Sequence, residues 1–302
     1  METARREVPV TEVYEQLRPL MFSIAYRMLG SASEAEDVVQ EAFLRYHRES
    51  NAGTEIDSPK AYLSTITTRL AIDQLRSARV RRERYVGTWL PEPVVTDAES
   101  DAATQAETAD SLSMAFLVLL ESLTPVERAV FLLRDVFDYG YEEIAGVVGR
   151  TEQNCRQIAV RARRQVEAKR PRFEADRRRR EELARRFFEA VTEGDEEGLV
   201  GLLAQDVVAY GDGGGKAPAF PHPVYGRERV ARLMVGAAER GQQLGVRGAS
   251  FVEINGQPGA VFLDADDRPL VAVTLDIADG LVQTIRAVGN PDKLHHLYAF
   301  GQ

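Results

Sequence analysis

Residues 124–164 read TPVERAVFLLRDVFDYGYEEIAGVVGRTEQNCRQIAVRARR, and this stretch decides the fold of the middle of the chain. Thr124, Pro125 and Glu127 combine an N-cap, a proline at the first helical position and a capping glutamate. Gly149 is expected to end a short helix over 141–148, and Thr151 to cap a basic helix after it. A short helix, a tight glycine turn and a basic helix predict a helix-turn-helix.

Length and composition set the outer limits. A chain of 302 residues suggests about two domains. The single cysteine, Cys155, excludes an intramolecular disulfide and a multi-cysteine zinc site, and with only four histidines we expect no metal and no cofactor. No stretch has the length of a membrane span, and the polar start lacks the apolar run of a signal peptide. We therefore expect a cytoplasmic protein without a membrane partner.

The charge is unevenly distributed. The net charge of −9 argues against nucleic acid for the chain as a whole. Residues 60–84, however, hold seven basic residues against two acidic ones, and residues 150–180 hold twelve against four. Between these blocks, residues 92–127 hold eight acidic residues and no Lys or Arg. Each basic block alone is as consistent with a solvated helix face, but two blocks on motif-bearing helices favour a polyanionic partner.

The chain divides by pattern into three parts. Residues 10–84 and 112–172 have helical patterning, and the stretch between them is rich in proline, glycine and acidic residues. After residue 181 a helix over 181–193 and another over 227–240 are predicted. Strands follow at 249–254, 259–263, 270–277 and 282–288, separated by turn residues. This order predicts a separate α+β domain at the C-terminus.

Three motifs carry most of the functional information. Residues 37, 40, 41 and 44 form one stripe of a helix that suits docking of a basic partner helix, while Val39, Phe43 and Tyr46 can face a core. On periodicity alone, a solvated amphipathic helix without a partner is the plainer interpretation. A second helix carries Arg69, Asp73 and Arg76 before an arginine run, with Tyr85 and Trp89 beside it, as suits phosphate contacts and base stacking. In the helix after Thr151, Arg and Gln recur at the spacing of an exposed face and suit major-groove base edges.

In this order, the motifs resemble a bacterial RNA polymerase sigma factor of the extracytoplasmic-function (ECF) type. The resemblance implies a multi-domain chain with two all-α sigma domains, a region 2 helical bundle and a region 4 helix-turn-helix, followed by an α+β SnoaL-like cone domain. It implies region 2 over residues 1–88, a linker over 89–111, region 4 over 112–172 and the cone domain with its connecting helix over 173–302. It also implies two partners, core RNA polymerase (through the beta-prime clamp helices and the beta flap) and promoter DNA.

The resemblance assigns residues to three tasks. The residues expected to bind the polymerase clamp are Asp37, Gln40, Glu41, Phe43 and Leu44. Those expected at the −10 element are Arg69, Asp73, Arg76, Arg79, Arg81 and Arg82. Those expected at the −35 element are Gln153, Arg156, Gln157, Val160, Arg161 and Arg164.

The C-terminal part resembles one subgroup, the SigJ-like ECF factors with a fused SnoaL-like domain. Three short runs carry this match: Trp89-Leu90-Pro91-Glu92-Pro93, Asp212-Gly213-Gly214-Gly215-Lys216 and Asn290-Pro291-Asp292-Lys293-Leu294. The resemblance implies that the cone domain regulates the sigma factor in cis, so that no separate anti-sigma factor is expected. We expect the second and third runs to contact the first.

The C-terminal domain could also be catalytic or bind a ligand. The run over 212–216 lacks the Ser or Thr that follows the lysine of a phosphate-binding loop, and the acidic cluster at 264–267 lacks the EF-hand spacing. Asp206, Tyr210, Asp212, His222 and Tyr225 could line a pocket, but no catalytic residue and no enzyme activity are expected. Two alternatives stay open. One is a SnoaL-like enzyme or ligand sensor fused to a DNA-binding module, and the other is an ordinary two-site transcriptional regulator.

Overall fold

The computed structural model describes residues 10–82, 84–96, 111–168 and 176–300. The helices are α1 (Val10–Leu29), α2 (Ala32–Asn51), α3 (Pro59–Arg82), α4 (Met114–Leu120), α5 (Pro125–Phe131), α6 (Tyr141–Val148), α7 (Glu152–Glu167), α8 (Arg177–Glu193), α9 (Glu196–Leu202) and α10 (Arg227–Gln243). The strands are β1 (Leu203–Asp212), β2 (Val224–Tyr225), β3 (Gly248–Ile254), β4 (Gln257–Leu263), β5 (Pro269–Ala278) and β6 (Leu281–Val288). No helix among these residues is long and apolar enough to cross a membrane.

The chain forms two compact units that do not follow its linear order. The first unit combines residues up to 81 with residues 120–168, so the region 2 helices belong with the region 4 helices that follow residue 120, while α4 belongs to the second unit except for Leu120. The second unit combines residues 82–119 with residues from 169 onward, so the linker belongs with the C-terminal domain. Of the predicted linker, residues 97–110 lie outside the described part of the chain.

The helix-turn-helix is confirmed in the first unit. The Thr124 hydroxyl accepts from the Glu127 amide, and the Glu127 carboxylate accepts from the Thr124 amide, which completes the predicted capping box. Gly149 ends α6 in the left-handed region at φ 65°, where a residue without Cβ is favoured, and Thr151 caps α7. The inner face of α7 is apolar and includes Cys155, whose thiol is buried. Burial raises the pKa of this thiol, which makes it unreactive.

Buried polar contacts join the region 2 helices to the region 4 helices within the first unit. The Arg128 side chain, 2% exposed, donates to the Met28 carbonyl at 2.7 Å and to the Leu120 carbonyl at 3.0 Å. The Ser64 and Tyr139 hydroxyls are hydrogen-bonded at 2.6 Å. These partners lie far apart in the sequence, so they fix the packing of the helices rather than their local structure.

The second unit is an α+β domain around a six-stranded sheet, in agreement with the predicted cone domain. Its strand order is β2-β1-β6-β5-β4-β3, with β1 and β6 parallel and the other neighbours antiparallel. Residues alternate along each strand, so Val273 and Leu275 face the core beneath α8 and α10, whereas Ala272 faces a second apolar cluster with the linker residue Leu90. The sheet therefore has the helices on one face and the linker on the other.

Strand β1 was not predicted from the sequence. It starts directly after α9, with no turn residue between the two elements, and pairs in parallel with β6 near the end of the chain. It carries Asp206, Tyr210 and Asp212, which we had expected to line a pocket. Asp206 is exposed, and Tyr210 packs at the linker-side cluster, so these residues do not converge in the cone.

Arg128 provides a test of the packing in the first unit. Replacing it by methionine should lower the free energy of unfolding by about 3 kcal/mol, because two buried carbonyls lose their donor and Glu121 loses its ion partner. Arg76→Ala, which removes an exposed pair with Asp73, should change it by less than about 0.5 kcal/mol. Urea unfolding followed by circular dichroism measures both, and equal midpoints for the two variants would contradict this account.

Candidate functional site

The stripe expected to bind polymerase lies on α2. Asp37, Gln40 and Leu44 are exposed, and the Leu44 side chain is 50% exposed. Glu41 is partly buried and pairs with Arg45. These four side chains share one face of the helix, next to the core of the first unit.

Phe43, which the resemblance also assigned to polymerase binding, lies on the core side of α2, the side that its position in the helix predicted. Its side chain is 6% exposed, and its ring meets Tyr14 edge-on with 4.8 Å between the centroids. It lies one position before Leu44, and the helical rotation of about 100° per residue turns it into the core. Phe43 therefore holds α2 in place and presents almost no surface to a partner.

The residues expected at the −35 element do form one surface. Gln153, Arg156, Gln157, Val160, Arg161 and Arg164 are all exposed on α7. The opposite face of α7 is buried and consists of Cys155, Ile158, Ala159, Ala162 and Val166. Cys155, Ile158 and Ala159 pack in one cluster with side chains of α5 and α6. Arg156 lies over the Tyr141 ring at 4.5 Å and is paired with Glu152, so its guanidinium is held in place on the exposed face.

Of the residues expected at the −10 element, Arg69, Asp73 and Arg76 lie on the described part of α3 within the first unit. Arg69 donates to the carbonyls of Val147 at 2.9 Å and Gly146 at 2.7 Å, at the C-terminal end of α6, where the helix dipole favours a cation. Asp73 and Arg76 form an exposed pair with each other. Arg79 and Arg81 lie in α3, but their side chains are outside the described part of the chain. Arg82 belongs to the second unit, where it lies over Trp89.

The second unit contains the most connected polar site of the described residues, centred on Asp212. This carboxylate is 1% exposed and accepts from the Lys293 ammonium at 2.7 Å, the Leu90 amide at 2.9 Å and the Tyr85 hydroxyl at 2.5 Å. The donors come from two distant stretches of the sequence: Lys293 lies near the C-terminal end, and Tyr85 and Leu90 lie in residues 84–96, the described linker with the residues just before it, which is called the linker from here on. A buried carboxylate with these donors is fully compensated for the loss of water.

Lys293 completes the site from the other side. Its ammonium also donates to the Leu90 carbonyl at 2.5 Å and lies 4.5 Å from the centre of the Trp89 ring. Burial lowers the pKa of Lys293, and the Asp212 carboxylate opposes this effect. The Trp89 ring receives a second cation from Arg82, whose guanidinium is 3.7 Å from the ring centre. One lysine therefore holds the backbone and the side chain of the linker at once.

Gly214 and Gly215 lie close to Tyr85 and Val86, whereas Gly213 lies close to Ala217 in its own loop. A Cβ at Gly214 would lie 2.3 Å from the Asn290 amide nitrogen and 2.9 Å from the Tyr85 hydroxyl. Gly214 and Gly215 also have φ values of 58° and 71°, which favour glycine. Asn290 in turn donates to the Tyr85 hydroxyl at 2.7 Å. A larger side chain at Gly214 would push the linker off the domain.

The remaining motif residues surround this centre. Leu90 and Leu294 are buried in the linker-side apolar cluster, and Pro91 and Pro93 are buried beside it. Glu92 is 6% exposed and lies 3.9 Å from His296, whose other ring nitrogen is hydrogen-bonded to the Pro93 carbonyl. At the periphery, Lys216 and Asp292 form an exposed ion pair. The structure thus brings the three motif runs into one contact area within the second unit.

Tyr85 was misassigned and Asn255 was missed from the sequence. Tyr85 was expected to stack on a base, but burial raises its pKa, so its hydroxyl stays protonated and donates to Asp212. Trp89, expected beside a base and also in the run that the C-terminal motifs contact, lies against Lys293. Asn255 was interpreted only as a turn residue. It is fully buried, accepts from the Val94 amide and donates to the Leu112 carbonyl, both at 3.0 Å. A buried turn asparagine gives no sequence signal that would separate it from an exposed one.

Comparisons with known proteins agree with this architecture. The family models for Sigma-70 region 2 and Sigma-70 region 4 match residues 13–81 and 113–166. The ECF RNA polymerase sigma factor SigJ of Mycobacterium tuberculosis is 38% identical over 290 residues, covering 93% of this chain and 91% of that protein. A probable ECF sigma factor of the same species, SigI, is 34% identical over 65% of this chain and 67% of its own length.

A solved structure extends the similarity to the whole fold. The crystal structure of M. tuberculosis SigJ matches with a TM-score of 0.73 and 35% identity, over 94% of this chain and 98% of that one. The match therefore includes the C-terminal α+β domain as well as the helical regions. On these grounds the chain belongs to the extracytoplasmic-function RNA polymerase sigma factors.

Proposed function

We propose that this chain is a promoter-specificity subunit whose C-terminal domain controls it in cis. It binds core RNA polymerase, reads two promoter elements, helps to melt the DNA and leaves during elongation. The single observation that carries this proposal is the pair of sigma regions in family order, 13–81 and 113–166, on a chain that matches an ECF factor over nearly its full length. Residues 1–88 serve as region 2, 89–111 as linker, 112–172 as region 4 and 173–302 as the regulatory domain.

Promoter reading at the −35 element is assigned to α7. Its exposed face offers glutamine and arginine side chains, which match the donor and acceptor pattern of base edges in the major groove. Arg161 and Arg164 are placed on the same face for phosphates, whereas Arg163 is paired with Asp135. The acidic net charge of the whole chain is compatible with this role because the basic residues are concentrated locally.

Polymerase binding is assigned to the α2 stripe, without Phe43. Asp37, Gln40 and Glu41 surround the exposed Leu44, so the surface combines acidic groups with one apolar anchor. This composition suits a basic helical partner such as the beta-prime clamp helices, and region 4 is assigned to the beta flap. Both finer assignments come from the family resemblance.

Control in cis is inferred from the docked linker. In the sequence the linker joins region 2 to region 4, and the Asp212–Lys293 site fixes it to the C-terminal domain. A domain that holds or releases this segment changes the arrangements open to the two sigma regions. Because the control element is covalently attached, no separate anti-sigma factor is required.

The competing enzyme function has less support. Catalysis of the isomerase or hydrolase type needs an acid or base within reach of the substrate in the cone. Asp212 is occupied by the linker, and His222 and Tyr225 are exposed and do not line the cavity described below. Within the described ranges, no cluster of His, Cys, Asp and Glu could hold a metal ion.

The sigma function is tested by run-off transcription with purified core polymerase on genomic fragments. We expect discrete transcript starts that share upstream elements, and weak promoter binding by the chain alone. Asp37→Ala with Gln40→Ala should reduce both transcripts and core binding by about tenfold, because the stripe loses its exposed polar anchors. Glu49→Ala, at an exposed position on another face of α2, is the matched control.

Two results would overturn this assignment. The absence of discrete starts from active core would remove the sigma function. Tight, specific promoter binding without polymerase would favour an ordinary two-site regulator instead.

Linker docking is tested at Lys293. Lys293→Ala should expose Trp89 to water and shift its fluorescence to longer wavelength, because the ring loses the ammonium and Asp212 loses its ion partner. Trp89 is the chain's only tryptophan, so its emission reports the linker alone. Lys216→Ala, which removes an exposed pair in the same contact area, is the control and should leave the emission unchanged. An identical spectrum for both variants would exclude the proposed docking.

A further inference from the structure

The C-terminal domain encloses a cavity on the face of the sheet opposite the linker. It lies between α8, α10 and strands β4, β5 and β6, and has a volume of about 360 Å³. Phe187, Phe188, Phe262 and Met234 form much of its wall. This volume lies in the range of small-molecule sites, which are usually concave and mostly apolar.

The cavity wall is mostly apolar. Its residues include no Asp, Glu, His, Lys or Tyr, and its polar side chains are Thr192, Gln242 and Arg247. The Thr192 hydroxyl is already committed, since it donates to the Phe188 carbonyl at 2.8 Å. The cavity can therefore bind a molecule, but it offers no general acid or base in the neutral pH range to transform one.

Arg247 supplies the one charge of the cavity wall. One nitrogen of its guanidinium donates to the carbonyls of Gln242 and Val246, both at 2.9 Å, which fixes the side chain at the mouth. Among the described residues, no carboxylate lies within ion-pair distance of it. A guanidinium has five N–H donors in a planar fork, so most of them are available to an anion.

We propose that this cavity binds a compact, ring-bearing apolar molecule with a carboxylate or similar anionic group. The ring occupies the phenylalanine-lined interior, and the anion meets Arg247 at the mouth. Gly248 and Ala249, both exposed on β3, border the entrance and leave it open to solvent. β3 is the edge strand of the sheet, so entry does not require another strand to move.

The cavity and the docked linker share a single wall. In β5, Val271 and Val273 line the cavity, while the alternate residues Ala272 and Thr274 face the cluster of Leu90 and Met114 on the other side. In β6, Ala287 lines the cavity and Val288 faces the linker cluster. A packed sheet transmits displacement rather than absorbing it. Ligand binding is thereby coupled to linker docking, a step that rests on the proposed control in cis.

The binding claim is tested with the full chain and two fluorinated probes. We would titrate 4-(trifluoromethyl)benzoate and its neutral counterpart 4-(trifluoromethyl)benzamide and follow the fluorine signal by NMR. Saturable one-to-one binding of the benzoate is expected. Arg247→Ala should weaken the benzoate about tenfold and leave the benzamide nearly unchanged, since one charge-assisted contact is lost. Arg240→Ala, in α10 and not among the residues that line the cavity, is the matched control.

Filling the cavity provides the steric test. Ala238→Phe inside the cavity and Ala249→Phe at its mouth should each abolish binding of both probes. Ala249 is exposed, so its replacement is compatible with folding even where the interior change is not, and thermal unfolding checks both. Absence of saturable binding, or binding that both phenylalanine variants retain, would overturn the site.

Trp89 emission tests the coupling in the same samples. The benzoate should shift the emission of the wild-type chain and leave that of Ala249→Phe unchanged. Binding without any shift would overturn the coupling while the site itself stands. If the proposed transcriptional control fails instead, the NMR titration is unaffected, so the two failures are distinguishable.

Discussion

The buried Asp212 carboxylate is the interaction on which the second unit depends. Its location at the end of β1 allows it to accept from a tyrosine, a backbone amide and a lysine that approach from the linker and from the C-terminal turn. A carboxylate in this position would be strongly unfavourable alone, and so would the Lys293 ammonium alone. The two charges compensate each other, and the docked linker supplies further hydrogen bonds from the Leu90 amide to Asp212 and from Lys293 to the Leu90 carbonyl, so undocking leaves both charged groups with fewer partners.

The sheet is what connects this contact to the rest of the domain. Its period of two sends alternate side chains to opposite faces, so one strand contributes both to the helix-covered core and to the linker cluster. The region 2 and region 4 helices have their own core, held by Arg128 and the Ser64–Tyr139 hydrogen bond. The first unit thus carries the surfaces proposed for promoter and polymerase, and the second unit carries the docked linker.

Local signals in the sequence predicted the helix-turn-helix and four strands well. The capping box at Thr124, the left-handed Gly149 and the turns at Asn255 and Asp279, which adopt positive φ, are encoded by adjacent residues. β1 escaped prediction because its partner β6 is distant and parallel. The motif runs could be identified by family resemblance, but their geometry could not, since Leu90 and Lys293 are separated by 203 positions.

Side-chain direction accounts for the remaining differences. Phe43 and Leu44 are neighbours in one motif, yet a single helical step buries the first and exposes the second. Tyr85 and Trp89 carry the same aromatic groups that stack on bases in other proteins, and only the long-range contacts to Asp212 and Lys293 reveal a different task. Whether an aromatic side chain is free or docked depends on packing that no short sequence window contains.

The most direct test of the account is a reversible covalent lock of the linker on the cone domain. A Cβ at Gly215 would lie 3.3 Å from the Val86 Cβ, close to the Cβ–Cβ distance of a disulfide. The double variant Val86→Cys with Gly215→Cys should therefore form a crosslink under oxidation. The native Cys155 is buried and should not take part. Run-off transcription with core polymerase is then compared before and after reduction, with the wild-type chain treated in parallel. The account predicts a severalfold change in transcript on reduction of the crosslinked chain and none for wild type. Equal transcript from the locked and released chains would contradict control through the docked linker.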